Sequence, residues 1–448
     1  MEVKVMSSRL VKPSYPPGVP QPDTTQHVPC SVFDKITYHI QMAIIYAFSP
    51  PVPSIADIEH GLAAVLGVYR AFAGQVRPGP DGELGVLLND HGAQLTEAFV
   101  DAHLIVVAPA RPSPELQQLH PGLHVEIEEV VQVQLTTFTC GSLVVGFTAN
   151  HAVADGRATS SFLVAWGRTM RGFPIGLPPP PLHHHPGLFP PRDPPRFEFE
   201  HRGVEYRARP TPPASSSSSS HLVTAHGETT HRHDIVIHKA HFTGEFITAL
   251  RAKASEGRGH PFSRFETIVG HVWRAMTRAR GLRDPCQASA IRISVDGRPR
   301  LGVPQEYFGN LVLWAFPRTT VGNLLTQSLT HAAQVIHDAV KQVDRAYFQS
   351  FLDFASSGVV EEEGLETTAV LSSDVLCPDL DVDSWLTFPF QELDLGTGGP
   401  SYFMPPYIPI EGMFFLVPSC LGDGSVDAFV PVFKHTLEAF MQCCCSVE

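Results

Sequence analysis

A histidine and an aspartate four positions apart are the residues of this chain whose spacing most directly suggests chemistry. They lie in TANHAVADGRATS, where His151 and Asp155 are followed at once by Gly156. An imidazole with an ordinary pKa near ~6.5 can take a proton from an alcohol or amine as that group attacks an activated carbonyl. The spacing alone is weak evidence, because chance gives such a match in roughly one of ten chains this size. The alternative is two ordinary polar residues in a histidine-rich chain, so placement must decide.

The elements around this pair place the histidine at the end of a strand. VVQVQLTTFTCGSLVVGFTANHA alternates on both sides of a Cys-Gly turn, which predicts a hairpin whose second strand runs into His151. The following SSFLVAWGRTM carries large apolar residues four apart and predicts a helix. Asp155 therefore lies in the turn between strand and helix. We expect it to pair with an arginine and hold the loop's shape rather than touch the imidazole.

Composition favours a globular protein of two domains that does not bind nucleic acid. The chain has 448 residues, which is more than one hydrophobic core usually holds, and 43% of them are hydrophobic. It has 32 basic against 45 acidic residues, a net charge of -13, and no long basic run. Because binding to a phosphate backbone needs clustered Lys and Arg, this balance disfavours a nucleic-acid partner.

The sequence also predicts a cytoplasmic location. MEVKVMSSRLVKPSYPPG lacks an apolar core of signal-peptide length, and the later apolar stretches are too short to span a membrane. The eight cysteines lack metal-ligand or disulfide-framework spacing and are expected to be reduced thiols. We expect a soluble monomer with no membrane partner.

The chain divides by composition into three parts. An alternating strand and the helix SIADIEHGLAAVLGVY, capped by Ser54, open an N-terminal domain placed at 1–200. A flexible linker rich in Pro, Ser and His is expected at 201–233, and amphipathic helices from 234 onward mark a C-terminal domain at 234–448. HHH at 183–185 and HRHD at 231–234 lack a matched ligand set, so no metal site is predicted.

Further segments give the chain a specific resemblance. In order and spacing, they are similar along essentially the whole chain to the plant BAHD acyltransferases, which transfer an acyl group from coenzyme A to an alcohol or amine. The segments are HAVADG, YRAFAGQV, DGELGVLLNDHGAQLTEA, FSRFETIVGHVWRAMTRARGL, VDGRPRL, YFGN and SWLTFPFQELDLGTGGP.

The resemblance implies an α/β fold. Two pseudo-symmetric domains like chloramphenicol acetyltransferase, each a mixed sheet flanked by helices, would enclose a central solvent channel with His151 between them. Coenzyme A would enter from one face and the acceptor from the other. It further implies that later chain, around 356–385, joins the sheet of the first domain.

One signature of the family is altered here. DLGTG stands where the family usually has Asp-Phe-Gly-Trp-Gly, so Asp394, Gly396 and Gly398 are kept and the aromatic pair is lost. In the family that aspartate is a structural salt-bridge partner of an arginine, for which Arg298 and Arg300 are the candidates. The GTGG that follows Leu395 lacks the Lys-Ser/Thr of a P-loop and favours a turn.

A subgroup resemblance suggests the acceptor. DVDSW, FMPPYIPIEG and LGDGSVDAFVPVF resemble the amine hydroxycinnamoyltransferases, including agmatine coumaroyltransferases. Asp381 and Asp383 are two apart and would project from one strand face, where they could neutralise the second cation of agmatine or putrescine. The alternative is a solvated loop edge or partners for a protein arginine. By the same resemblance, the Trp385 indole N–H is the predicted oxyanion donor.

We therefore predict a coenzyme A-dependent N-acyltransferase that moves a hydroxycinnamoyl or related aromatic acyl group to a primary amine by direct attack. Acyl-CoA is a co-substrate, and no permanently bound cofactor is expected. Ser263 and Arg264 could meet a phosphate of coenzyme A at a helix N-terminus, although capping alone would explain the serine. The alternatives are an aromatic amine such as tryptamine or tyramine, O-acylation of an alcohol such as shikimate, and a non-catalytic binding paralogue.

Overall fold

A computed structural model of the chain describes residues 1–37, 40–107, 111–123, 128–173, 182–183, 187–209, 222–223, 229–230, 234–369 and 373–447. Strands in these residues are β1 (Lys4–Val11), β2 (His27–Pro29), β3 (Gln41–Phe48), β4 (Gln75–Pro78), β5 (Leu84–Leu87), β6 (Ala93–Val100), β7 (Val131–Phe138), β8 (Leu143–Asn150), β9 (Leu182–His183), β10 (Tyr206–Ala208), β11 (Leu222–Val223), β12 (Thr229–Thr230), β13 (Ile235–Phe242), β14 (Ala288–Asp296), β15 (Tyr307–Phe308), β16 (Val312–Ala315), β17 (Arg318–Thr320), β18 (Leu365–Thr367), β19 (Leu380–Ser384), β20 (Tyr402–Met404), β21 (Met413–Pro418) and β22 (Val426–Phe433).

Helices flank these strands in the described ranges. They are α1 (Val32–Lys35), α2 (Ile55–Val68), α3 (Leu104–Val107), α4 (Gly156–Met170), α5 (Gly244–Ala254), α6 (Arg264–Ala279), α7 (Arg298–Leu301), α8 (Val321–Thr326), α9 (Leu329–Gln342), α10 (Arg345–Ser356), α11 (Val359–Glu362) and α12 (Leu437–Cys444). Within the part of the chain that the structure describes, none of them has both the length and the apolar character needed to span a bilayer.

The first sheet carries the strand that leads to His151. Its order is β1-β6-β7-β8-β3-β20, and β7 and β8 pair antiparallel as the predicted hairpin, with Gly141 at a φ of 79° in the turn. Alternate residues of β7 and β8 share a buried core with α2 and α4. Ser54 caps α2 by accepting a hydrogen bond from the Asp57 N–H, as predicted.

The second sheet is also mixed. Its order is β13-β22-β21-β19-β14-β16, with β17 paired to β14, and β19 runs parallel to both of its neighbours. Trp273 of α6 is fully buried in the core of this sheet. Two mixed sheets flanked by helices confirm the predicted α/β class.

One later strand was predicted to lie in the wrong sheet. The prediction that 356–385 joins that sheet is wrong, because β19 lies between β21 and β14 in the second sheet, and β20 pairs with β3 instead. The reason is packing: Leu380 and Val382 of β19 are 2% and 1% exposed in the second core. Burying this apolar face stabilises β19 in the second sheet.

The predicted linker at 201–233 lies largely outside the described residues, as do most of the histidines of the two His-rich runs. Its first part, 201–209, is described, and there the prediction of flexibility is wrong. His201 and Glu205 are fully buried and hydrogen-bonded to each other at 2.9 Å, and His201 also hydrogen-bonds to Ser350 of α10. This segment is packed against α10.

Strand β15 ties the two cores together. Its adjacent residues point to opposite sides, so Tyr307 is buried in the second core and Phe308 in the first. The Phe308 ring lies 5.2 Å from that of Tyr69 and 4.9 Å from that of Phe72, both edge-on. The turn that follows β15 is thereby anchored to the half of the chain that carries His151.

Replacing Phe308 should therefore destabilise the protein. We expect Phe308→Ala to lower the free energy of unfolding by about 3–5 kcal/mol, because it leaves a cavity among packed rings. Phe316→Ala is the control, since Phe316 is 36% exposed and should change stability by less than about 1 kcal/mol. Denaturant unfolding measures both variants, and equal losses would contradict this account.

Candidate active site

His151 follows directly on the last residue of β8. Its backbone N–H donates to the carbonyl of Ile40 at 2.9 Å, which holds the start of the turn against the chain that leads into β3. The residue is only partly buried, and its Nδ1 lies 2.9 Å from Oδ1 of Asn310. The ring is thus held on one edge by a side chain 159 positions away.

The orientation of Asn310 determines which imidazole nitrogen carries the proton. Its Nδ2 donates to the His151 carbonyl at 2.6 Å and to Asp34 Oδ1 at 2.9 Å. Both partners are acceptors, so the amide oxygen must be the atom that faces Nδ1 of the ring. An amide oxygen only accepts, and Nδ1 must therefore donate. In the neutral ring this leaves Nε2 unprotonated and available as a base.

Asp34 fixes Asn310 in turn. Its carboxylate accepts hydrogen bonds from the backbone N–H of Asn310 at 2.8 Å and from the N–H and hydroxyl of Ser31 at 2.8 and 2.7 Å. Burial raises the pKa of Asp34, whereas these hydrogen bonds oppose the rise. Because every one of these neighbours donates, the geometry accommodates the carboxylate form.

The sequence interpretation missed both of these residues. YFGN was used only as a resemblance, although it contains Asn310. Asp34 forms a capping box with Ser31 at the start of α1, and the spacing Ser-x-x-Asp is the sequence signal for that motif. The signal predicts a helix start but gives no sign of a bond to a residue 276 positions away.

Asp155 is the N-cap of α4 and part of a buried ion pair. Its side chain accepts from the N–H of Ala158 at 2.9 Å and of Leu311 at 3.1 Å, and it contacts Arg298 at 2.7 Å. Burial alone would raise the pKa of Asp155, but the charge and hydrogen bonds of Arg298 outweigh it and lower the pKa. Its partners are these groups and not the imidazole.

Arg298 extends this contact to the turn that carries Asn310. Its side chain is fully buried, and it donates to the carbonyls of Tyr307 at 2.9 Å and Gly309 at 3.1 Å as well as to Asp155. One guanidinium therefore holds the turn after His151 and the turn before Asn310 in a fixed relation. The hydrogen bond between the two side chains depends on that relation.

The two aspartates of β19 have different surroundings. Asp381 forms an ion pair with Arg292 at 2.5 Å, which is the protein-arginine alternative raised from the sequence. Asp383 has no cation within ion-pair distance among the described residues. Burial raises its pKa first and the charge of Asp381 raises it further, while His151, the Trp385 side chain and the charge of Arg292 act to lower it. His151 is thus one of the groups that act on the Asp383 carboxyl group.

Trp385 lies directly after this strand and is 3% exposed. Its ring packs against those of Phe390 and Phe415, with centroids 5.0 and 5.6 Å away. Its side chain acts on Asp383, whose pKa it lowers. The oxyanion role stays a prediction.

The predicted pairing of Asp394 with Arg298 or Arg300 is wrong. Arg298 instead pairs with Asp155, and Arg300 donates a hydrogen bond to the carbonyl of Val340. Asp394 instead accepts hydrogen bonds from the N–H groups of Gly396 and Gly398, and its nearest cation is Arg171 at 3.6 Å.

The two glycines explain this turn. Gly396 and Gly398 have φ values of 102° and 115°, which favour glycine. The turn packs closely on α4, because a Cβ on Gly167 would lie 2.8 Å from the backbone nitrogen of Asp394. The altered signature thus supports the helix that begins at Asp155.

Ser263 and Arg264 begin α6. Ser263 forms a capping box with Glu266, and Arg264 donates to the carbonyl of Gly424 at 3.3 Å. Capping accounts for the contacts of the serine, and the phosphate role of both residues stays a prediction.

Known proteins are similar to this chain along nearly all of its length. A protein-family model described as the Transferase family matches residues 1–444. The chain is 68% identical to putrescine hydroxycinnamoyltransferase of Oryza sativa subsp. japonica and 43% identical to agmatine coumaroyltransferase-1 of Hordeum vulgare, with 100% of both chains covered in each case. The fold is similar to that of vinorine synthase, with a TM-score of 0.69 at 21% identity, covering 98% of this chain and 96% of that one. It is also similar to F. graminearum TRI101 complexed with coenzyme A and deoxynivalenol, with a TM-score of 0.70 at 15% identity, covering 92% and 96%.

The ion pair at the base of the site gives a stability prediction. Arg298→Met should lower the free energy of unfolding by about 3–5 kcal/mol, because it leaves the buried Asp155 carboxylate without its cation. Arg300→Met is the matched control two positions away, since Arg300 is only partly buried and forms no ion pair in the described residues. Urea unfolding of both variants measures the difference, and an Arg298→Met protein as stable as the control would refute the assignment.

Proposed function

Because the chain belongs to the BAHD transferase family, we propose that it transfers a hydroxycinnamoyl or related aromatic acyl group from coenzyme A to a primary aliphatic amine such as putrescine or agmatine. The observation that carries the choice of amine is Asp383, a carboxyl group that interacts with His151 and forms no ion pair with a cation of the described residues. The names of the similar plant enzymes support the same acyl and acceptor classes.

The acceptor nitrogen must lose its protons to react. A primary amine resembles lysine, with a pKa near ~10, and is mostly an ammonium at neutral pH. Removal from water favours its neutral form. The neutral nitrogen then attacks the thioester carbonyl while Nε2 of His151, left unprotonated by the Nδ1 bond to Asn310, takes a proton as the C–N bond forms.

Collapse of the tetrahedral intermediate completes the reaction. The C–S bond breaks, and the proton held by His151 passes to the leaving thiolate, giving free coenzyme A and the amide. No acyl-enzyme is needed. For the developing oxyanion we propose the Trp385 indole N–H as the donor.

Asp383 supplies the counter-charge for the acceptor. A diamine in which one nitrogen reacts still carries a second cation, and removing that cation from water is costly unless a carboxylate pairs with it. Asp381 is already paired with Arg292, so the two-carboxylate clamp reduces to Asp383 alone.

The same charge disfavours the other acceptors. Tryptamine has no second cation and would leave Asp383 unpaired, and the carboxylate of shikimate would meet it as a like charge. A non-catalytic binding paralogue has no chemical need for the fixed tautomer of His151.

We further propose that acyl-CoA is a co-substrate, with Ser263 and Arg264 near one of its phosphates. The protein is proposed to be a cytoplasmic monomer without a permanently bound cofactor.

Thiol release tests the function. Purified protein with p-coumaroyl-CoA should release free thiol when putrescine or agmatine is added, much less with tryptamine, tyramine or shikimate, and mass spectrometry should identify the amide. His151→Ala should lower the rate by at least about 100-fold because the general base is lost. His60→Ala, a change on α2, is the control and should keep the wild-type rate. Release with shikimate but with no amine would overturn the proposal.

The carboxylate gives a separate prediction about affinity. Asp383→Asn should raise KM for putrescine at least about tenfold, because the ammonium loses a partly buried partner. Asp338→Asn, on the exposed side of α9, should leave KM unchanged. Steady-state rates at saturating p-coumaroyl-CoA measure both, and an unchanged KM in Asp383→Asn would exclude this residue from acceptor binding.

A further inference from the structure

Four aspartates lie on one face of the second sheet, and three of them form ion pairs. Residues two apart on a strand, and those paired across strands, share a face. On β14, β19 and β22 this face holds Asp296, Asp381, Asp383 and Asp427. Asp296 pairs with an arginine of α4 at 2.8 Å, Asp427 with a lysine of β13 at 3.0 Å, and Asp381 with Arg292.

Of these four, Asp383 is the one without an ion-pair partner in the described residues. The number of carboxyl groups on this face without an ion-pair partner in the described residues is therefore one, and a cation that binds there would favour its ionised form. That value depends on Arg292, because without this arginine Asp381 would add a second uncompensated carboxylate two positions away from Asp383.

Arg292 is held firmly in place. Its Nε and one terminal nitrogen bond to Asp381 at 2.9 and 2.5 Å, and the other donates to the carbonyl of Thr368 at 2.8 Å. The guanidinium also lies over the Trp314 ring, 5.5 Å from its centroid. Backbone pairing of β14 with β19 sets Arg292 opposite Asp381 and not opposite Asp383. The ion pair and both carboxylate hydrogen bonds of the arginine therefore go to Asp381, whereas Asp383 senses its charge without a direct contact.

We infer that Arg292 determines which polyamines are accepted: by neutralising Asp381 it matches the site to acceptors that carry one cation besides the reacting nitrogen. The inference rests on the proposed function. An aliphatic diamine meets this condition. A triamine brings a second leftover cation, for which the site offers no free carboxylate.

Charge arithmetic gives the size of the effect. A unit charge several ångströms away in a partly solvated site changes binding by an amount that corresponds to about a tenfold change in affinity after screening. Arg292→Gln frees Asp381, so the ratio of kcat/KM for spermidine to that for putrescine should rise about tenfold. Arg292→Gln with Asp381→Asn restores a single free carboxylate, so the ratio should return to the wild-type value.

Two further variants distinguish an effect of charge from a loss of structure. Asp381→Asn leaves Arg292 unpaired beside Asp383, so KM should rise about fivefold or more for putrescine, although Asp381 is not the residue assigned to the ammonium. Arg292→Lys keeps the charge and should keep the wild-type ratio. Rates are measured with p-coumaroyl-CoA, and circular dichroism checks that each variant is folded.

The outcomes distinguish this inference from the function on which it rests. If the wild-type protein acylates no amine, the proposed function fails and the inference falls with it. If the wild type acylates putrescine but folded Arg292→Gln keeps the wild-type ratio, or the double variant keeps a raised ratio, the inference alone is overturned. Should Arg292→Gln not fold, Asp381→Asn decides, and an unchanged KM for putrescine would refute the role of Arg292.

Discussion

The buried ion pair between Asp155 and Arg298 is the contact on which the geometry of the site depends. A buried carboxylate and guanidinium are costly to desolvate and persist only where each is paired and hydrogen-bonded. Here Arg298 reaches Asp155 and the carbonyls of Tyr307 and Gly309, and Asp155 also accepts from the Leu311 N–H. The pair thereby joins the turn after β8 to a loop of the second half of the chain. The base and the side chain that orients it lie on those two segments.

A second constraint is the hydrogen-bond order Asp34, Asn310, His151. Each member has a definite direction of donation, because the carboxylate of Asp34 only accepts and both amide hydrogens of Asn310 are directed at oxygens. The consequence is a defined tautomer of His151. A carboxylate also orients the histidine of the Ser-His-Asp triad, but there it bonds the ring directly. Here the amide carries the interaction without placing a charge against the ring.

Local patterns were sufficient to predict some of this site. Alternation and helical spacing placed His151 at a strand end and Asp155 in the following turn, because both signals lie within about twenty residues of sequence. They could not predict Asn310 or Asp34, whose bonds span 159 and 276 positions. They also could not separate Asp381 from Asp383, which share a strand face. The difference comes from the parallel pairing of β19 with β14, which joins distant parts of the chain, and for the same reason β19 was wrongly expected in the first sheet.

The orientation of the base can be measured directly. Long-range ¹H–¹⁵N NMR of protein labelled at its 23 histidines, compared with a His151→Gln sample, identifies the signals of this ring. At about pH 8.5, where an ordinary imidazole is neutral, we expect a proton on Nδ1 of His151 and none on Nε2. In Asn310→Ala the two tautomers should mix. A proton found on Nε2 in the wild-type protein would contradict the assignment of His151 as an oriented base.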